Sequence, residues 1–165
     1  MCGLALPAAA DAPRFDIASG LPTVAPFSDI TLNGLPQLTT STISPFVVID
    51  DSGTLAGWNV TLTIPNFSNG TGADCTTDAT ATIDASGLSM EAANVTAADI
   101  DTSLTGVTSE GFADFTTARK IVVADIGHGE GRYVVTPALL KLPIPANVIA
   151  GAYCTVANMS IGVGP

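Results

Sequence analysis

The stretch GWNVTLTIPNF, residues 57–67, alternates apolar and polar side chains through its central part. The apolar positions of this alternation are Trp58, Val60, Leu62 and Ile64, and the positions between them are Asn or Thr. Because successive side chains of a strand point to opposite faces, a period of two predicts a half-buried strand. A tryptophan surrounded by this pattern indicates a core residue of a β-sandwich rather than an exposed binding surface.

Similar β-branched runs recur along the chain between turn residues. They occupy residues 28–32, 38–50, 58–64, 80–83, 119–126, 132–136, 139–144 and 152–163. Many short strands separated by Gly- and Pro-rich turns are typical of all-β proteins. The sequence therefore predicts an antiparallel β-sandwich of the immunoglobulin-like, Greek-key type, with an extended N-terminal arm and long acidic loops.

Three segments allow more local predictions. The Gly-rich stretch DIGHGEG, residues 125–131, favours a hairpin loop, since glycine adopts positive φ at little cost. Residues 89–100, SMEAANVTAADI, could form a helical turn or two. The rest of segment 66–117 is acidic and rich in turn residues, which predicts long loops.

The chain divides into an N-terminal arm, residues 1–26, and a sandwich domain, residues 27–165. The first ten residues, MCGLALPAAA, resemble the end of an export signal without its positive start, and an ordinary apolar arm explains them equally. The apolar residues of the arm that could contact a partner are Leu4, Leu6, Phe15 and Ile17. Such a segment could add a strand to the sheet edge of a neighbouring copy, or it could fold back on its own domain.

The net charge of the chain limits the classes of partner that it can bind. Five Lys and Arg stand against fifteen Asp and Glu, a formal net charge of −10. An acidic surface repels phosphate backbones and anionic lipid headgroups, which argues against nucleic acid and membrane surfaces as partners. No apolar run approaches the roughly 20 residues that a membrane-spanning helix requires, so no membrane span is expected.

The cysteines have neither C-x-x-C nor zinc-site spacing. In an exported protein, a disulfide between Cys75 and Cys154 is the favoured pairing, and it would stabilise the fold by about 4 kcal/mol through loop-closure entropy. Cys2 is left over, and either an intermolecular bridge or a buried inert thiol would accommodate it.

The sequence contains no recognisable set of catalytic residues. A Ser–His–Asp set requires a histidine, and the single one, His128, lies in the Gly-rich loop without a G-x-S-x-G motif. VVIDDSG, residues 47–53, is similar to an aspartic-protease loop, yet that chemistry needs a second carboxylate, and a turn at Asp51, Ser52 and Gly53 explains the residues. We expect a protein that is not an enzyme and needs no metal or cofactor.

Asparagines followed by x-Ser or x-Thr are frequent. These candidate glycosylation sites are Asn59, Asn66, Asn69, Asn94 and Asn158. Alternation in Thr-rich strands also places Thr two residues after Asn, so the pattern has a purely structural explanation as well.

Two groups of residues carry a resemblance to a known family. In segment 27–67 a turn with Asp50 or Asp51 and Gly53 runs into Gly57, Trp58, Val60 and Thr61. In segment 127–165 the matching residues are Gly129, Gly131, Tyr133, Leu142, Ile144, Pro145, Ala150, Gly151, Tyr153 and Pro165. Taken in order, the two segments resemble the opening and closing halves of WxL-type domains of Gram-positive cell surfaces. The chain departs from that family at Trp58-Asn59-Val60 and Met159-Ser160-Ile161, where the family has Trp-x-Leu.

The resemblance implies a divergent, single-domain member of this cell-surface family. Its motif and core residues would be Trp58, Val60, Leu62, Tyr133, Tyr153 and Met159. The first functional hypothesis is a non-catalytic, exported structural protein that assembles with copies of itself into an extracellular filament or surface layer through its arm. The alternative implied by the family is a monomeric module that binds peptidoglycan of the cell wall.

Overall fold

The computed structural model describes residues 11–73, 75–136 and 138–165 of the chain. The strands are β1 Arg14–Phe15, β2 Gln37–Thr42, β3 Phe46–Asp50, β4 Trp58–Thr63, β5 Phe67–Ser68, β6 Thr82–Ile83, β7 Ser89–Met90, β8 Val95–Ala97, β9 Val107–Ser109, β10 Phe112–Ala113, β11 Arg119–Ala124, β12 Gly131–Val135, β13 Leu139–Ile144 and β14 Asn158–Val163. Short 3-10 turns cover Ile17–Ser19 and Ala85–Gly87.

The strands of the described residues pair antiparallel in four sheets. Three have four strands, in the orders β1-β3-β12-β8, β10-β7-β13-β2 and β14-β4-β11-β9, and the fourth is the pair β5-β6. The predicted all-β, antiparallel sandwich class is confirmed. Its immunoglobulin-like, Greek-key topology stays a prediction.

Two of the sheets are linked by one interrupted ribbon. β3 pairs with β12 up to Phe46 opposite Val135, and β2 pairs with β13 from Thr42 opposite Leu139. Pro45 stands between β2 and β3, and proline has no N–H to donate to a ladder. The single strand predicted over 38–50 is therefore two strands.

The facing sheet is built on β4, whose apolar residues point inward as predicted. Trp58, Val60 and Leu62 are fully buried. The indole ring lies 5.4 Å from the ring of Tyr133 in β12, so this contact joins the two sheets. Its Nε1–H donates to the backbone oxygen of Gly129 at 2.9 Å. Trp58 is a core residue.

Gly129 belongs to the predicted turn segment, and only glycine fits at this position. Its φ is +93°, and a Cβ there would lie 2.7 Å from Trp58 Nε1. The segment itself is not the predicted hairpin loop, because β11 and β12 belong to different sheets. Residues 125–130 instead carry the chain from one layer of the sandwich to the other.

Other local predictions were wrong. Residues 28–32 form no strand, although the chain bonds to β2 at two points nearby, from Ala25 N to Thr42 O and from Ser28 N to Thr40 O. Pro26 interrupts that pairing, since it lacks an N–H. Segment 152–163 is a strand only from Asn158, and Cys154 forms an isolated bridge with Ser68.

Residues 89–100 form no helix. Met90 in β7 pairs with β13, and the residues of β8 pair with β12. Met90 is buried among the core side chains. Pairing and burial outweigh the weak helix propensity of this segment, as tertiary context commonly does.

Cys75 and Cys154 form the predicted disulfide, with Cα atoms 5.7 Å apart and a sequence separation of 79. The Ser68–Cys154 bridge beside it supplies a reciprocal pair of backbone hydrogen bonds, both 2.9 Å. Cys2 lies outside the described residues. Within the described part of the chain, no helix is long and apolar enough to cross a membrane.

Candidate functional site

The residues considered for catalysis take part in packing and in a turn. The imidazole of His128 packs against Gly106, where a Cβ would lie 2.4 Å from the ring. Ser52 N donates to Asp50 Oδ1 at 3.1 Å, which closes the turn after β3. No group of three His, Cys, Asp or Glu side chains among the described residues is close enough to hold a metal ion.

Asp51, the second carboxylate of that turn, binds the arm. Arg14 donates to its two oxygens at 2.6 and 2.8 Å. The hydrogen bond from Arg14, followed by the charge of the guanidinium, lowers the pKa of Asp51. The acidic turn after β3 is thus an anchor for residue 14.

A second anchor follows at Asp16. Its carboxylate accepts hydrogen bonds from Ser19 Oγ at 2.6 Å, from Ala18 N at 3.0 Å and from Arg132 Nη2. The Ser19 hydroxyl first, then the Ala18 N–H and the Arg132 charge, lower the pKa of Asp16. Arg132 belongs to β12, so this contact ties the arm to the centre of its sheet.

These anchors predict that acid releases the arm. Because both folded-state pKa values lie below the ordinary 3.8, the contacts stabilise the bound arm fully above about pH 4 and are lost as the pH falls through the folded-state values. NMR shifts of the amides of residues 14–19, followed from pH 6 to pH 2, should therefore titrate with midpoints below 3.8.

Asp16→Asn should shift the same amides toward their acid positions already at neutral pH. Asp101→Asn, which removes an exposed carboxylate from another loop, is the matched control and should leave them unchanged. A midpoint at or above 3.8 in the unmodified protein would contradict the role given to these carboxylates.

Beyond its anchors, the arm lies along the edge of the β2–β3 ribbon. Phe15 in β1 pairs opposite Val48, and its ring meets Phe46 edge-on at a centroid distance of 5.6 Å. Val24 forms a bridge with Ile43 farther along the same edge. Of the arm residues predicted to contact a partner, Phe15 packs on its own domain and Ile17 is 78% exposed. Leu4 and Leu6 lie outside the described residues.

The arm lies along one side of a flank of the sandwich, and β14 lies on the other side of the same flank. It pairs with β4 on one side, and no described strand lies on the other. Gly164 N donates to Gly57 O at 2.9 Å, so the alternation of an antiparallel ladder turns the N–H and C=O groups of Met159, Ile161 and Val163 away from β4. Met159 and Ile161 pack partly against the core.

Between the arm and β14 lies an apolar cavity of about 1090 Å³, which we call the flank groove. Residues 22–32 line one wall and residues 148–159 the other, with Leu62, Ile64 and Phe67 on the floor. Three large apolar side chains of its described walls are exposed: Leu32 by 37%, Ile149 by 57% and Val156 by 43%. Among the described residues that line the flank groove, Asp29 is the single charged one.

Several contacts hold the second wall in place, among them the Ser68–Cys154 backbone bonds and a hydrogen bond from Thr155 Oγ1 to Pro65 O at 3.1 Å. The Cys75–Cys154 disulfide ties it to the loop before β6, and the Tyr153 hydroxyl donates to Ile149 O at 2.9 Å. The residues that carry the predicted WxL resemblance thus separate into two groups. Trp58, Val60, Leu62 and Tyr133 are fully buried, whereas Tyr153 and Met159 are half-buried and line the groove.

The candidate glycosylation sites differ in how far their side chains are engaged. Asn69 accepts from the backbone of Thr80 and Ala81, and Asn59 donates to Gly164 O at 2.6 Å. Asn66 accepts from Ala85 N at 2.9 Å. Asn94 and Asn158 are exposed. Asn158 opens β14, so a glycan there would stand at the entrance of the flank groove.

The chain was compared with family models, with curated proteins and with solved structures, and none of these comparisons found a match. The WxL resemblance therefore stays a prediction that depends on its two motifs.

Proposed function

We propose that the protein is a non-catalytic, exported structural subunit of the cell surface that assembles with copies of itself into an extracellular filament or surface layer. The N-terminal arm of one copy and a sheet edge of the next make the contact. The observation that carries this proposal is the outer edge of β14, which is six residues long, NMSIGV, and contains no charged residue and no proline.

This edge differs from the other edges of the described sheets. Folded proteins protect sheet edges by keeping the strands short, by charging them or by covering them. β8 and β9 have three residues and β10 has two, while the arm covers the edge of β3 and runs beside β2. β14 has none of these protections among the described residues, which suits an edge that receives another strand.

The described part of the arm already contacts its own domain, so the contact between copies falls to residues 1–10 with Leu4 and Leu6. When the arm of one copy binds the flank of the next, the two surfaces are different and the contact need not close. Such heterologous contacts propagate into filaments. The disulfide fits an oxidising, extracellular environment for this assembly.

Deletion of residues 1–10 tests the proposal, because it removes the donated segment and leaves both anchors of the arm in place. The full chain should form polymers whose mass increases with concentration in light scattering after size-exclusion chromatography. Negative-stain microscopy should show fibres or sheets. The deleted variant should remain a monomer with an unchanged midpoint of thermal unfolding.

A Leu4→Ser, Leu6→Ser variant of the full chain is the matched control for length and should behave like the deletion. Polymers that persist after the deletion would contradict the role of the arm. A full chain that remains a monomer at all concentrations and sediments with purified cell walls would instead support the peptidoglycan-binding alternative.

A further inference from the structure

We infer that the flank groove and the outer edge of β14 are the acceptor site for residues 1–10 of a second copy. This inference rests on the proposed function and names both halves of its contact. The donated segment would add an extended strand beside β14, with Leu4 and Leu6 in the groove.

The two ends of the molecule determine the direction of this contact. β14 begins at Asn158, next to the groove, and ends at Val163. The described arm begins at Asp11, which lines a small cavity with Gly57 and Val163. The arm therefore leaves one end of the sandwich, and the groove opens toward the other. Ten extended residues reach at most about 36 Å, enough to run along a neighbouring copy.

The same geometry favours a second copy over the chain's own groove. If residues 1–10 folded back from Asp11 onto their own flank, they would run parallel to β14. If they came from a copy stacked below the groove, they would run antiparallel to β14. Antiparallel pairing is slightly more stable per residue and is reached here without a reversal of the chain at residue 11.

The sequence of the segment fits an added strand. Leu4 and Leu6 are two residues apart, so both point to one face, and that face would be the groove. In an antiparallel ladder, the side chains of residues opposite Met159 and Ile161 would point inward, as the side chains of Met159 and Ile161 do. The N–H groups of those opposite residues would point toward β14. Pro7 then falls at an alternate position whose missing N–H would point away from β14, which costs no ladder bond.

Charge also favours this occupant. Two bodies of net charge −10 repel each other, and the described lining of the groove contains one charged side chain, Asp29. Residues 1–10 contain no Asp, Glu, Lys or Arg. An uncharged apolar segment can enter the groove without a charged group losing its hydration, which would be costly.

The inference is tested with two variants, each of which lacks one half of the contact. The donor variant carries Ile149→Asp and Val156→Asp. It keeps its arm, but its groove contains two new carboxylates at exposed positions. The acceptor variant lacks residues 1–10 and has an intact groove. The donor variant also carries Cys2→Ser, and the acceptor variant has lost Cys2 with the deleted segment, so that no bridge through Cys2 contributes. Each alone should be a monomer, and their mixture should form a one-to-one dimer that grows no further.

The matched control for the added charge is Ile100→Asp, at a residue that is 99% exposed and outside the groove. It should polymerise like the unmodified chain. Val163→Pro removes an outward N–H of β14 at a residue that is 61% exposed, and it should weaken assembly without changing thermal stability.

A peptide with the sequence of residues 1–10, with Ser in place of Cys2, gives a direct measurement. Added to the acceptor variant, it should shift the amide resonances of residues 159–163. Replacing Leu4 and Leu6 of the peptide by Ser should weaken binding by about 100-fold, since each buried leucine contributes about a factor of ten.

The outcomes separate this inference from the proposed function. If the deletion abolishes polymers but the donor variant still forms them, the arm acts at another surface and the acceptor site is wrong. If the deletion leaves polymers intact, the copies assemble without residues 1–10, and both the acceptor site and the role of the arm are wrong. If the full chain forms no polymers at any concentration, the proposed self-assembly is wrong. A monomeric full chain with protected β14 amides, which become exposed on deletion, would show that the segment fills its own groove, and this would overturn the role of the second copy.

Discussion

Trp58→Ala should lower the free energy of unfolding by about 4 kcal/mol, as expected for the loss of a fully buried tryptophan. The indole is completely inaccessible and packs against Tyr133 across the two sheets. Its removal would also leave the backbone oxygen of Gly129 without its donor. Urea unfolding followed by far-UV circular dichroism measures the loss, because the tryptophan fluorescence disappears with the residue.

Trp58→Phe separates packing from hydrogen bonding and should cost less, since an aromatic ring remains beside Tyr133. Ile100→Ala, at an almost fully exposed position, should change the free energy of unfolding by less than about 0.5 kcal/mol. A loss below about 1 kcal/mol for Trp58→Ala would contradict a core role. It would reopen the interpretation of this residue as a binding surface.

Part of the fold could be predicted because its causes are local. The alternation over 58–64 determines which face of β4 is buried, whatever its neighbours are. The turn at residues 51–53 follows from residue types that bond to their own backbone, as Asp50 does with Ser52 N. Neither feature depends on which distant strand lies alongside.

The wrong predictions concern pairing between distant segments. Nothing near residues 125–131 reveals that β11 and β12 belong to different layers, because a Gly-rich connection suits a hairpin and a crossover equally. Residues 89–100 carry no strong helix or strand signal. They become strands because β12 and β13 offer them partners.

The flank groove could not have been predicted from any single motif. Its walls come from residues 22–32 and 148–159, and its floor includes β4. One signal was present in the sequence, namely the alternation of Met159 and Ile161 in an uncharged stretch. It predicts a strand, but whether that strand lies at an edge depends on the whole sheet order.

Replacing both Cys75 and Cys154 by Ala should lower the free energy of unfolding by about 4 kcal/mol in the chain-entropy model, because the bridge closes a loop across 79 residues. For a domain of this size the midpoint of thermal unfolding should fall by roughly 10 °C. Differential scanning calorimetry of the unmodified protein and of the double variant measures this fall. A reductant should lower the midpoint of the unmodified protein and leave that of the double variant unchanged.

The same substitution should act on the groove, because the disulfide holds the wall that contains Ile149 and Val156. Hydrogen exchange of residues 148–157 should accelerate more than that of β4, since the wall then has no covalent link to the loop before β6 and is held by hydrogen bonds such as those to Ser68 and Pro65. A wall that loosens must be ordered again when a segment binds, so assembly should weaken beyond what the loss of stability explains. Equal exchange rates in both proteins would mean that the wall is held by its packing alone, and that the disulfide stabilises the fold without shaping the groove.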